Sequence, residues 1–193
     1  MTSIYFIRHA ESDHDWEEDR TRPLTNEGSD DSRNVTKFLR DIRIDCYMSS
    51  PYQRSVDTII ESSVERNMDI YIDERFRERE KGVNGYNSEM LEKRWADFDF
   101  YEESGESLSM VQKRNIEAVL EILKDHEGKN IVIGTHGAAL SAILNYFDPS
   151  YCYNDFLRII NYMPYIIRLD FEGINCVRKE ELLIIEKQFK RKK

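Results

Sequence analysis

Short runs dense in β-branched and aromatic residues alternate along this chain with longer stretches in which apolar residues recur every three or four positions. The first pattern suits strands, the second amphipathic helices, and their alternation predicts an α/β layered fold. The runs Ile4 to Ile7, Asp45 to Met48, Met68 to Ile72 and Asn130 to Ile133 are expected as core strands. Tyr165 to Phe171 and Ile174 to Arg178 add two late strands around a turn at Glu172-Gly173.

Helices are expected near Gly28 to Ile42, Pro51 to Arg66, Ser107 to His126 and Gly137 to Phe147. In the third, Leu108, Val111, Ile116, Val119, Leu120 and Leu123 form one apolar stripe. Ser50 is placed to cap the second, with Pro51 at its first position, where a missing N–H has no partner to lose. Between Arg75 and Gly105 the pattern gives way to Gly, Tyr, Trp, Phe and acidic residues. This stretch, about residues 76–106, reads as a small cap insertion over the sheet edge, or as an added packing layer.

Composition narrows the class. A chain of 193 residues is near the size of one domain, and surface scaling buries ~70 % of the extended chain's surface, so a single domain over 1–193 is expected. No apolar run approaches the length of a membrane span, so no membrane partner is expected. The first residues lack the basic start and long apolar core of a signal peptide, and three cysteines lie far apart, which together point to a reducing cytoplasm. A net charge of -9 opposes a polyanion-binding surface, so no nucleic-acid partner is expected. The basic tail Lys187, Lys190, Arg191, Lys192 and Lys193 reads as a solvated terminus.

Four sets of polar residues share one position in this layout. Arg8-His9 follow the first strand, Arg54 lies one turn into the helix after the second, Glu78 follows the third, and Thr135-His136 follow the fourth. Ligands of open α/β sheets bind beyond the carboxyl ends of strands, so these groups are expected to converge. Two guanidinium groups and two imidazoles around one cavity would make an anion hole suited to phosphate, and the helix starting at Gly137 would add backbone N–H donors. A neutral imidazole there can attack phosphorus, while a carboxyl such as Glu78 supplies and later removes a proton. The arginines would supply the positive charge that a metal ion gives elsewhere, so neither metal nor other cofactor is expected. No histidine spacing suggests zinc, and His14 and His126 read as surface residues.

Arg8-His9-Ala10-Glu11-Ser12 resembles the Arg-His-Gly signature of the histidine phosphatase superfamily, also called phosphoglycerate mutase-like. Further segments fit in the same order: Arg22-Pro23-Leu24-Thr25 with Gly28, Ser49-Ser50-Pro51-Tyr52-Gln53-Arg54 with Thr58, and Phe76-Arg77-Glu78 with Gly82 and Gly85. Gly105-Glu106-Ser107 and Thr135-His136-Gly137 complete the set. The resemblance implies a three-layer α/β/α sandwich with a mostly parallel mixed sheet and metal-free hydrolysis of small phosphomonoesters through a phosphohistidine. It implies His9 as nucleophile, Arg8, Arg54 and His136 as phosphate pocket, and Glu78 as proton donor.

Some positions depart from the family pattern. Ala10 stands where Gly is commonest and Asp15 where Asn often helps bind phosphate. Val83-Asn84-Gly85 replaces Trp-Glu-Gly, and Gly137-Ala138 lacks the Asn frequent in mutases, which weakens a mutase reading. Glu80 is the substitute for Glu78, and Glu106-Ser107 reads also as a plain helix start. Tyr86, Trp95, Phe98, Phe100 and Tyr101 suit either a leaving-group pocket or packing, and the acidic excess over 89–106 should disfavour strongly anionic leaving groups. The alternatives to a phosphatase of small substrates are a mutase-type phosphoryl transferase, a noncatalytic phospho-ligand binding or signalling module, and a protein phosphatase. Oligomeric state is not legible.

Overall fold

β1 (Thr2–Arg8) is buried along its whole length, and its side chains divide by strand alternation: Ile4 and Phe6 pack on one face, Tyr5 and Ile7 on the other. The structure, a computed structural model, describes residues 1–83 and 88–187. β1 lies between β4 (Asn130–Thr135), which runs parallel to it, and β5 (Tyr162–Glu172), which runs antiparallel. β2 (Cys46–Ser49) and β3 (Ile70–Ile72) continue the parallel side, and β6 (Asn175–Glu186) pairs with β5, giving the order β3-β2-β4-β1-β5-β6.

Helices cover both faces, because each face of the central strands is apolar. α1 (Asn26–Leu39) and α2 (Gln53–Glu65) bury Val35, Leu39 and Ile59 against Tyr5, Ile7, Tyr47 and Val132. On the other face α4 (Leu108–Asp125), α5 (Gly137–Phe147) and α6 (Tyr153–Ile159) pack Ile116, Val119, Leu140, Ile143 and Phe156 against Ile4, Phe6, Ile131 and Ile133. Each such aliphatic side chain contributes about 1.5–3 kcal/mol on burial. The result is the expected α/β/α sandwich on a mixed sheet. No helix of the described residues is long and apolar enough to cross a membrane.

The segment between β3 and α4 closes on itself: Lys81 bridges Gly105, the Val83 N–H donates to the Glu103 carbonyl, and the Glu106 N–H to the Glu80 carbonyl. It carries α3 (Ser88–Ala96), whose Leu91 and Trp95 rest on the core of the second face.

Several local expectations are corrected. β3 is an edge strand of three mostly exposed residues rather than a core strand. Ser50 does not cap α2: Tyr52 is the residue before that helix, and the Ser50 hydroxyl accepts the Tyr52 N–H at 3.2 Å while pairing with His136. The final turn is Gly173-Ile174, one residue later than expected, because its first position has φ +58°, which glycine adopts without strain. α3 and α6, short and weakly periodic, were not expected at all. Gly85, Tyr86 and Lys190 to Lys193 lie outside the described residues.

Candidate active site

β2, β4 and β1 are parallel neighbours, so Ser49-Ser50, Thr135-His136 and Arg8-His9 leave the sheet side by side at one edge. Cross-links then fix their relation. The His9 N–H donates to the Thr135 carbonyl at 3.1 Å, and the Ala10 N–H to Thr58 Oγ1 at 2.9 Å. Thr58 in turn donates to the Arg54 carbonyl at 2.7 Å, so the loop after β1 is tied to the turn of α2 that carries Arg54. α1 presses on the same loop: a Cβ at Gly28 would lie 2.0 Å from the Glu11 carbonyl oxygen, so only glycine fits.

Arg8, His9, Arg54, Glu78 and Gly137 line one cleft, as the convergence argument requires. His136 stands behind that lining, fully buried, with its ring centroid 5.3 Å from that of His9. The Arg8 guanidinium donates to the Ile159 carbonyl at the end of α6. Arg54, 1 % exposed, donates to the Asp19 carbonyl at 2.7 Å and lies over the Tyr52 ring at 4.7 Å.

The imidazole of His9 is held in one tautomer. Its Nδ1 lies 2.7 Å from the Ala10 carbonyl, which can only accept, so Nδ1 carries the proton and Nε2 the lone pair. Burial, then the Arg54 and Arg8 charges, push its pKa well below that of a free imidazole, so His9 is neutral at physiological pH. His136 is pushed the same way by burial, Arg54 and His9. Its Nε2 pairs with the Ser50 hydroxyl at 2.6 Å, and its buried Nδ1 has no hydrogen-bond partner among the described residues.

Two cleft residues, Arg22 and His14, and one residue paired with the cleft's cations, Asp19, were not read as functional from sequence. Arg22 is 5 % exposed, and its guanidinium donates to His14 Nδ1 at 3.3 Å. His14 therefore lines the cleft instead of the free surface, and burial with Arg22 and Lys81 pushes its pKa down to about 4. Asp19 Oδ1 lies 3.0 Å from Arg22, 3.4 Å from Arg54 and 3.5 Å from Lys81. Burial raises its pKa, but these cations more than offset that and leave it below the ordinary carboxylate range. Arg22 was visible within the Arg22-Pro23-Leu24-Thr25 segment; nothing in the spacing marked His14 or Asp19. Asp15 is exposed and absent from the lining.

The wall contributed by the segment after β3 is basic, with Arg79, Lys81 and Arg94 on the lining. Apart from Glu78, its acidic residues are off the lining, those of 89–106 among them: Glu102 is spent on Arg94, with both side chains almost fully buried. The premise for excluding anionic leaving groups therefore fails. Trp95 packs on Phe98, Tyr151 and Phe156, and the apolar lining is Leu91, Phe156, Ile160 and Met163.

Glu78 sits at the N-terminus of α5. Its carboxylate accepts the Arg79 N–H at 2.8 Å and the Ala138 and Ala139 N–H groups at 3.2 Å each. The helix donors expected to serve a bound anion thus hold this carboxylate. Gly137 lies against the Arg8 guanidinium, which a Cβ there would touch at an ordinary contact distance of 3.4 Å. Buried guanidinium groups around a neutral imidazole, with a carboxylate at the rim, suit a tetrahedral oxyanion undergoing displacement.

A model of the histidine phosphatase superfamily (branch 1) matches residues 4–177. The chain is 27 % identical over 168 residues to a probable phosphoglycerate mutase GpmB of Enterobacter sp. (strain 638), covering 75 % of this chain and 74 % of that protein. It is 26 % identical over 149 residues to an uncharacterized phosphatase PhoE of Bacillus subtilis (strain 168), covering 75 % and 76 %. Among solved structures, Bacillus stearothermophilus YhfR superposes with a TM-score of 0.75 at 24 % identity, over 91 % of this chain and 94 % of that one.

Proposed function

We propose that this chain, which belongs to the histidine phosphatase superfamily (branch 1), hydrolyses small phosphomonoesters through a covalent phosphohistidine on His9. The observation that carries this reading is the His9 imidazole, neutral and fixed with Nε2 as its free lone pair, set among the buried guanidinium groups of Arg8, Arg22 and Arg54.

Arg8 and Arg54 hold the phosphoryl oxygens, with the unpartnered Nδ1 of His136 available behind them. His9 Nε2 attacks phosphorus as the bond to the alcohol oxygen breaks, and Glu78, entering protonated, gives that oxygen its proton. Water then attacks phosphorus, its proton passing to the Glu78 carboxylate as the P–N bond breaks and phosphate leaves. Charge in the loose transition state is met by the arginines, so the scheme calls for no metal ion. Three free cysteines suit a reducing compartment, as a cytoplasmic enzyme would meet.

A mutase would return the phosphoryl group to a second hydroxyl instead of to water. Arg79, Lys81 and Arg94 on the lining are compatible with an anionic acceptor, although Glu102 and Asp19 already balance part of their charge. Phosphate release from p-nitrophenyl phosphate in excess EDTA, compared between the native chain and His9→Ala across pH 4 to 9, tests the proposal. Release that survives EDTA and vanishes in His9→Ala is expected. Release unchanged in His9→Ala would overturn the mechanism, and phosphoryl transfer without net release would favour the mutase.

A further inference from the structure

Glu78 stands on a stretch, residues 77–80, that belongs to no helix or strand, so no backbone ladder holds it in place. Two side chains, Glu106 just before α4 and Arg114 in its second turn, take over that task. Arg114 Nη1 donates to the carbonyls of Arg75 at 2.6 Å and Arg77 at 2.8 Å, and Nη2 to the Glu78 carbonyl at 3.2 Å. Its Nε and Nη2 also meet the two carboxylate oxygens of Glu106, at 3.0 Å each. All five N–H bonds of the guanidinium are thereby matched to five acceptors, which leaves it one orientation. Glu106 completes the lock by accepting from the Arg77 guanidinium at 2.6 Å and the Glu80 N–H at 3.0 Å.

A helix start accounts for Ser107, whose hydroxyl accepts the Met110 N–H, but it does not account for Glu106 or Arg114. We propose that Arg114 and Glu106 are positioning residues for proton transfer, setting Glu78 at the distance from the leaving oxygen that protonation requires. This rests on the reading of Glu78 as the acid and base. A lysine at 114 would keep the charge and lose the lock, because an ammonium has three donors on one point and cannot reach five separated acceptors.

Leaving groups separate this role from a merely structural one. p-Nitrophenolate departs without a proton, whereas an alkoxide does not, so misplacing the acid lowers kcat/KM, which reports the transfer to His9, only for the second kind, while the shared hydrolysis of the phosphohistidine is read in kcat. The experiment measures kcat and KM on p-nitrophenyl phosphate and n-butyl phosphate, and inhibition by vanadate, for the native chain, Glu78→Gln, Arg114→Lys and the double variant. For Arg114→Lys, kcat/KM on n-butyl phosphate is expected to fall on the order of 10²-fold and kcat/KM on p-nitrophenyl phosphate less than about threefold. Vanadate inhibition should be unchanged, and the double variant should be no slower than Glu78→Gln. Equal losses on both substrates, or losses that multiply in the double variant, overturn the proposal. If Glu78→Gln discriminates between the substrates and Arg114→Lys does not, the proposal alone falls; if Glu78→Gln does not discriminate, the acid reading falls and takes the proposal with it. Should Arg114→Lys fail to fold, Glu106→Gln, nearly identical in shape, is judged by the same criteria.

Discussion

Replacing Thr58 with valine isolates one hydroxyl that joins the loop of His9 to the helix of Arg54. Thr58 is 1 % exposed, accepts the Ala10 N–H at 2.9 Å and donates to the Arg54 carbonyl at 2.7 Å. Valine has the same shape, so no cavity opens and the loss is polar. The Arg54 carbonyl still accepts the helical bond from residue 58, and little is lost there. The buried Ala10 amide has no such substitute, and an unsatisfied buried donor costs about 1–3 kcal/mol. For a chain of this length each kcal/mol moves Tm by roughly 2–4 °C, so Thr58→Val should melt about 2–12 °C lower. Urea unfolding followed by circular dichroism should show a lower midpoint with an unchanged slope. Ala10 also anchors the His9 ring, so kcat should fall in Thr58→Val and hold in Thr58→Ser, which keeps the hydroxyl. A stability loss below about 0.5 kcal/mol, or equal losses in the serine and valine variants, would refute the reasoning.

Two further outcomes follow from the same geometry. His9, His14 and His136 all have pKa values lowered from 6.5, by burial first and neighbouring cations second, His14 to about 4. The unfolded chain therefore takes up protons that the native chain refuses as pH falls below 6.5, so stability, full above that pH, should decline towards about 4. Urea midpoints taken from neutral to mildly acid pH check this; a midpoint that stays level or rises on acidification would sink it. Gly28→Ala sets two effects against each other: alanine gains up to about 1 kcal/mol of helix propensity, while overpacking costs about 1–3 kcal/mol. The clash is with a backbone carbonyl that cannot rotate away, so destabilisation should win, and a Tm above that of the native chain would show that α1 does not press on Glu11.

The sheet was legible because β1 and β4 are short apolar runs ended by polar residues, and the shared edge at their carboxyl ends follows from parallel pairing alone. Arg8, His9, Arg54, Glu78 and Gly137 therefore fall together from the sequence pattern, and they line one cleft. What escaped was set by contacts between distant segments. Ser50 looks like a cap locally, but His136, 86 positions away, claims its hydroxyl. Gly137 looked like the start of an anion site, yet Glu78 reaches the next two N–H groups of that helix. His14 read as surface because its neighbours in the cleft, Arg22 and Lys81, are distant in the chain or carry no periodicity that would mark it. α6 has too few turns to show a stripe, so the Ile159 carbonyl that holds Arg8 left no trace in the pattern.

The partners that aim these side chains are mostly main-chain atoms. Ile159 offers Arg8 a carbonyl, Ala10 offers one to His9, Asp19 offers one to Arg54, and Ala138 and Ala139 give their amides to Glu78. Point substitution cannot delete such a partner; only proline at an amide, or a shift in the chain's path, can. At residues 10, 139 and 159, which are fully buried, packing still limits which side chain fits, but any that fits leaves the atoms that orient the arginine, the histidine and the carboxylate where they are. Mutational drift is filtered through the backbone's course, and the pocket is inherited along with that course more than with the letters that spell it.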